Sequence, residues 1–305
     1  MQVRVLGGIV LVFFSAALAA SDPGQTNDAA QAMKNLKLCQ ESLGKDDVDA
    51  AVEYGEKAVK LDGGNWECQL WLGHAYGRKA QKASVFSKLS NAKKCKAAYE
   101  KAVELKADSA EARQALMEYL LQAPGIAGGD KNKAREQATE ILKLDAVRGH
   151  LAFAQVYLSE NDAAKAEQEY IAITELDPNN QAHRNNLGLF YVNQGKYDQA
   201  RNIFLTLNEA APQETAYIYQ LGKIALLSGK DLDKGLEYFQ EYLKVEPKPD
   251  YPTWADAHWR MGLIQEKLGS KDKAVAEYQK ALELNPQHKF AKESLSKIRG
   301  GDVPL

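Results

Sequence analysis

The chain is predicted to be all-α: a right-handed superhelical solenoid of about seven helix pairs, closed by a C-terminal capping helix. Three observations carry this. One 34-residue unit, Gln181 to Glu214, sets Leu187-Gly188 and Tyr191 on a first helix. A Gly195-Lys196-Tyr197 turn follows, then Ala200 and Phe204 on a second helix, and Pro212. The same offsets of small and aromatic residues recur along nearly the whole chain, and a repeat of that length marks a stacked helical array. Proline ends the second helix of four copies, at Pro178, Pro212, Pro247 and Pro286, where it stops the helix and directs the chain into the next unit.

The copies follow in order. The first, about 32–65, carries Cys39, Ala51, Ala58 and Gly63; the second, about 66–109, carries Gly73, Tyr76, Cys95, Tyr99 and Ala102. The third, about 110–146, keeps only Met117, Ala134 and Ile141; the fourth, about 147–180, has Ala154, Tyr157, Ala166 and Tyr170. After the 181–214 unit come 215–248, with Gly222, Gly235, Phe239 and Tyr242, and 255–288, with Gly262, Gly269, Ala274, Tyr278 and Ala281. Antiparallel helices approach closely where facing residues are small. Tyr99, Tyr170, Phe204, Phe239 and Tyr278 are expected to fill the space toward the next pair. A single pair cannot bury its apolar stripe, so neighbours must stack. Residues 289–300 form the capping helix, with Phe290, Leu295 and Ile298 on one side, and 301–305 a tail.

On these residues the chain resembles the tetratricopeptide repeat superfamily from about 32 to 288. The resemblance implies a non-enzymatic protein–protein interaction scaffold whose first helices line a concave groove. Carried over position by position, the groove consists of Arg148, Leu151, Gln155, Asn185, Leu189, Asn193, Tyr219, Lys223, Leu226, Asp256, Trp259 and Leu263, with Asn186 beside it. Amides can hydrogen-bond an extended peptide, and Tyr and Trp supply anchor area. The Lys/Asn/Arg carboxylate clamp of chaperone-binding members is not reproduced, because Lys223 stands largely alone. The segment Arg184 to Ala200 is similar to parts of tetratricopeptide proteins that assist type IV pilus assembly, so a pilus or envelope assembly factor is one specific expectation. An accessory small-molecule-binding or carrier protein for envelope transport is the alternative.

Residues 1–19 read as a secretory signal peptide: Arg4 is the only charge, a small and apolar run spans Val5 to Ala20, and Ala17-Leu18-Ala19 precedes a plausible cut. Ser21 stands where a lipoprotein would need cysteine. The expected location is therefore periplasmic or secreted, with cleavage near Ala19. Residues 20–31 are small and polar and are expected to be a disordered lead-in. With 39 basic and 41 acidic residues the net charge is −2, which gives no case for nucleic acid. Cys39, Cys68 and Cys95 are expected to be packed free thiols, since Cys68 and Cys95 fall about 12 Å apart along antiparallel helices and a disulfide needs Cα atoms within about 7 Å.

Two segments break the period. The second copy is too long between Tyr76 and Cys95, which is expected to lengthen both helices and their turn. From Arg78 to Lys106 it carries nine Lys or Arg against Glu100 and Glu104, a candidate contact for an acidic partner or anionic surface; Val85, Phe86 and Leu89 are its apolar members. The third copy inserts QAPGIAGGDKNKA, 122–134, with Asp130 placed to cap a helix at Lys131. This loop is similar to loops of secreted bacterial repeat proteins.

No catalytic constellation is present in the sequence, and no cofactor or metal is expected. Gly229-Lys230 lacks the spacing of a phosphate loop. His74, His150, His183, His258 and His288 fall in different copies, without paired metal-ligand spacing, and are expected on helix surfaces.

Overall fold

The computed structural model describes residues 23–300, so the signal-peptide and tail expectations (1–19 and 301–305) lie outside the described residues. Among the described residues there are fifteen α-helices and no strand. The chain divides into two compact units, one through Asp130 and one from Lys131.

The first unit contains α1 (Pro23–Gly44), α2 (Val48–Leu61), α3 (Trp66–Lys82), α4 (Val85–Leu105), α5 (Ala110–Gln122) and a 3-10 turn at Gly125–Ala127. The 20–31 lead-in was expected to be unstructured, but the chain is helical from Pro23. Ala29, Ala30 and Gln31 are strong helix formers, and the next residue, Ala32, is fully buried with Leu36 against Ala58 and Cys68. Packing thus fixes one turn and propensity extends it back. The long second copy does lengthen both helices, but not the turn, which is only Ala83-Ser84. Leu89 is half-buried; the side chains of Val85 and Phe86 lie outside the described residues.

The second unit contains α6 (Lys131–Leu144), α7 (Ala146–Ser159), α8 (Ala163–Leu176), α9 (Gln181–Asn193), α10 (Tyr197–Ala210), α11 (Thr215–Ser228), α12 (Leu232–Tyr242), α13 (Trp254–Lys267), α14 (Lys271–Leu284) and α15 (Lys289–Ile298). The two helices of the third copy therefore belong to different units. The side chains of Asp47, Asn65, Ser109, Asp145, Asp162 and Asn180 each accept a backbone N–H at the helix they open, satisfying donors that have no partner within the helix. Thr253 and Asp256 form a reciprocal capping box on α13. Between α9 and α10, Gly195 adopts φ +70°, a left-handed turn glycine reaches without strain; Asp46 and Asn161 hold the corresponding turns of the first and fourth copies at φ 60° and 62°.

The aromatic residues were expected to fill space toward the following pair. Three rings do meet a ring of the next pair, Tyr99 with Tyr119 at 6.4 Å, Tyr170 with Phe190 at 4.9 Å and Phe204 with Tyr217 at 6.4 Å. Four of the five, all but Tyr170, also close over a glycine of their own pair. A Cβ built on Gly73 would lie 2.4 Å from the Tyr99 ring, on Gly188 2.9 Å from Phe204, on Gly222 2.9 Å from Phe239, and on Gly262 2.3 Å from Tyr278. Each glycine is a notch that only a missing side chain can supply, and each ring is buried. Onward packing between pairs also uses aliphatic residues: with Tyr217, Leu221 and Ile224 of α11 join the cluster built by α9 and α10.

The three cysteines are free and buried. Burial is the main force pushing the thiols of Cys39 and Cys68 up to about 11 and that of Cys95 up to about 12. Thiolate is thereby suppressed, and with it reactivity.

The histidines are not the surface residues expected. Nδ1 of His150 lies 2.6 Å from Glu169 Oε2, and Nδ1 of His258 lies 2.7 Å from Glu277 Oε2, so the fourth and seventh copies repeat one helix-to-helix contact. His183 is half-buried. His288 is buried, accepts the Ala291 N–H at the start of α15 and meets Asp256 Oδ1 at 3.2 Å. His74 meets the Tyr99 hydroxyl at 2.9 Å, and burial holds its pKa below the ordinary histidine value. The unfolded chain therefore takes up a proton at His74 before the folded chain does. Its contribution to stability is complete above the unfolded pKa, about 6.5, and declines as pH falls from there toward the lower folded pKa. Urea unfolding of the wild type is expected to lose stability as pH falls below about 6.5, and His74→Gln is expected to flatten that loss; equal slopes would show that His74 is not responsible.

Candidate functional site

The first helices of the second unit's copies, α7, α9, α11 and α13, carry the predicted groove residues. Leu151 from α7 and Asn186, Leu189 and Asn193 from α9 converge on one concavity of about 320 Å³. Leu158, Tyr170, Phe190 and Gln194 complete its wall. Its size lies at the small end of the range for ligand sites, enough for a short extended segment or a large side chain. Tyr170 and Phe190 pack with ring centroids 4.9 Å apart, so α8 stiffens the floor while the two asparagines supply polar contacts. These wall residues were not in the sequence-derived set. Tyr170 was legible only as a packing aromatic of the second helix, and its edge reaches the site through the neighbouring copy.

Several predicted groove residues are elsewhere. Tyr219 and Leu226 are buried core residues, packed with Phe239, Tyr242 and Ile264. The reason is local: α11 is apolar around most of its circumference, with seven buried residues in 14, and a helix of that kind is enclosed by its neighbours. Leu263 packs against the same cluster. Asp256 is committed to its helix terminus, accepting from Thr253 N at 2.8 Å and Thr253 Oγ1 at 2.6 Å, and it faces His288. Burial raises its pKa, but those hydrogen bonds outweigh burial and hold it below the carboxylate range. Trp259 sits beneath the capping helix: its ring stacks on Phe290 at 5.1 Å, and its Nε1 donates to Ser294 Oγ at 3.2 Å. Arg148 is exposed beside Asp145, Gln155 is exposed, and Asn185 is half-buried outside the concavity's wall.

Lys223 is half-buried, and it is not alone. Burial, then the charge of Arg260, pushes its pKa below the ordinary lysine value. Arg260 donates from Nε to the Tyr219 hydroxyl at 2.7 Å and lies 4.9 Å from the Trp259 ring centroid. Neither cation forms a salt bridge among the described residues. Arg260 was missed because it stands one place beyond the groove position in its copy; only the packing of Tyr219 turns it inward.

Six of the nine cations of segment 78–106 are paired with carboxylates of their own unit. Asp46 accepts from Arg78 at 2.9 Å and pairs with Lys82 at 2.6 Å, and Lys79 pairs with Asp49 at 3.0 Å. Lys96, Lys101 and Lys106 pair with Glu100, Glu104 and Asp108. Among the described residues no cluster of three His, Cys, Asp or Glu could hold a metal, and no helix is long and apolar enough to cross a membrane.

A row of stacked helix pairs defines the class: a helical-repeat scaffold for protein–protein interaction, a type that is generally non-enzymatic. Comparison supplies the particulars. Tetratricopeptide repeat profiles match residues 79–109, 157–223 and 255–288. Among curated proteins, the heat shock protein STI1 of Saccharomyces cerevisiae is 29% identical over 102 residues, covering 33% of this chain and 16% of its own length. The photosystem I assembly protein Ycf3 of Prochlorococcus marinus is 34% identical over 88 residues, 29% of this chain and 50% of its own. The chain thus matches at most half the length of these relatives. Among solved structures, a tetratricopeptide repeat protein of Parabacteroides merdae superposes with TM-score 0.58 at 15% identity, over 89% of this chain and all of the other. Yeast Tom70 superposes with TM-score 0.55 at 17% identity, over 93% of this chain and 58% of its own. At such identities these structures speak for the fold alone.

Proposed function

We propose that this protein is a non-enzymatic adaptor of the bacterial cell envelope, whose second unit holds an extended, acidic segment of a partner protein on the face of α7, α9, α11 and α13. The carrying observation is the pair Lys223 and Arg260: two neighbouring half-buried cations without an ion-pair partner among the described residues. Placing two like charges together in a partly desolvated position is costly, and an anion between them relieves that cost. Asn186 and Asn193 supply amide contacts for a peptide backbone, and Leu151 and Leu189 an apolar seat. The names of the relatives, a heat shock protein and an assembly protein, fit a chain whose work is to hold other proteins. Pilus or other envelope assembly is the specific version of that work.

Selection of a random peptide library against the purified protein is expected to enrich sequences with a carboxylate near an apolar residue. Lys223→Glu should weaken the selected peptides at least about tenfold, the order found when one member of a desolvated charge pair is removed, while thermal unfolding shifts little. Peptides without acidic residues, or binding indifferent to Lys223→Glu, would remove the reading. The envelope location rests on the apolar run from Val5 to Ala20. Mass spectrometry of the protein from a periplasmic extract should find a chain beginning just after Ala19, and an intact Met1 in the cytoplasmic fraction would contradict it.

A further inference from the structure

We propose that the first unit contains a separate binding site, for a small amphiphile with an apolar body and a single carboxylate-type anion, in the pocket enclosed by α3, α4, α5 and the 3-10 turn. The pocket is about 580 Å³, in the middle of the range for small-molecule sites. Most of its wall comes from the two segments that break the repeat period: Leu89 and Ala92 from the lengthened pair, Pro124, Ile126 and Ala127 from the inserted loop. A regular repeat would lack both walls, so the irregular segments share one structural result.

The wall is preformed. The Tyr119 hydroxyl donates to Ala127 O at 2.7 Å, Asp130 N donates to Leu120 O at 2.9 Å, and Gly129 N donates to Pro124 O at 3.2 Å. A Cβ on Gly129 would lie 1.8 Å from Ala123 O, so the loop can close back on α5 only with glycine there. Ile126 remains 74% exposed at the rim, although its neighbour Ala127 is buried.

Chemistry follows from what the wall leaves uncommitted. The Tyr99 hydroxyl is engaged with His74, the Tyr119 hydroxyl with Ala127 O, and Glu118 accepts from Gln114. His74 is held towards its neutral form by burial. Among the described residues, none of the buried polar atoms lacking a partner lies in this pocket. The buried part of the wall therefore suits an apolar ligand body, and polar contacts are left to the exposed Gln81 and Gln122 amides. Of the two cations in the wall, Arg78 is paired with Asp46, whereas Lys88 is exposed at the rim with no ion-pair partner among the described residues. Lys88 is therefore placed to take an anionic head, with the Gln81 amide on the same wall. The site lies wholly in the first unit and does not depend on the peptide face of the second.

The test uses the full chain with dodecanoate and, as an aromatic counterpart, 1-anilinonaphthalene-8-sulfonate. Dodecanoate is expected to bind once per chain by calorimetry and to displace the fluorescent sulfonate; binding of the sulfonate alone, without displacement, would overturn the fatty-acid form. Dodecylamine should bind at least about tenfold more weakly than dodecanoate, and Lys88→Glu should reverse that order, as expected when one rim charge is inverted. Ala92→Trp, which fills the pocket, should abolish binding. Because a large residue there also risks the fold, Ile126→Asp at the exposed rim is the second variant, and it too should weaken dodecanoate with an unchanged melting temperature. Equal affinity for dodecanoate and dodecylamine, binding unaffected by both Ala92→Trp and Ile126→Asp, or binding to phosphatidylglycerol vesicles without binding to monomeric dodecanoate would each overturn the proposal.

Discussion

Replacing Gly149 with leucine is expected to melt the second unit well below the wild type. Gly149 lies on α7, buried against α6, and a Cβ built there would be 2.2 Å from the Leu142 Cα and 2.5 Å from its Cβ. The obstruction is backbone, not the end of a flexible side chain, so α6 and α7 must move apart along their contact. Overpacking typically costs about 1–3 kcal/mol, and leucine at this contact should sit at or above the upper end. For a domain of this size each kcal/mol lowers the midpoint by about 2–4 °C. A loss of roughly 6–12 °C is therefore expected by circular dichroism, on the same reckoning. Gly149→Ala should still destabilise, even though alanine is favoured over glycine within a helix by about 1 kcal/mol. Gly44→Ala, where no atom lies within 4 Å of the new methyl group, should not. A midpoint unchanged in Gly149→Leu would mean that α6 and α7 are farther apart than described.

Trp259→Ala is expected to release the capping helix. Trp259 bears on Phe290, Ser294 and Arg260 together, and it packs on the small buried cluster of Ala255, Ala281 and Ala291. Truncating a fully buried tryptophan costs about 3–5 kcal/mol; a half-buried one should cost about 2–3 kcal/mol on the same scale. The loss should be concentrated at one end. Hydrogen exchange in α15 should accelerate most, with α7 to α10 little changed, and Trp259→Phe should recover part of the protection. Binding of an acidic peptide should persist in Trp259→Ala. Lost binding with intact α15 protection would instead return Trp259 to the partner-binding face.

The helix pairs were readable because their packing is written in residue size at fixed spacing. Gly188 with Phe204 and Gly262 with Tyr278 advertise a close approach that no loop or strand would need. The cap was readable too, although its anchor is the fully buried Ala291, while Phe290 stays 53% exposed and lies flat on Trp259. Position counting failed where side-chain size overrode it: Tyr219 and Leu226 occupy groove positions, but α11 carries too much apolar surface to leave them open. Charge counting between Arg78 and Lys106 missed two of the pairing carboxylates, Asp46 and Asp49, because they lie about thirty residues earlier in the chain. Arg260 became visible only once Tyr219 was seen to hold it. The concavity around Asn186 and Asn193 was half legible, since α9 supplies its polar members in regular order whereas Tyr170 enters from the preceding copy.

The ring that closes each glycine notch belongs to the same pair as the notch. A tandem duplication of such a segment copies the lock and its key together, so the close approach within a new copy needs no matching change elsewhere, although its outer faces must still stack on its neighbours. Arrays assembled this way can lengthen, or tolerate a stretched member such as the one between Tyr76 and Cys95, without losing the copies on either side.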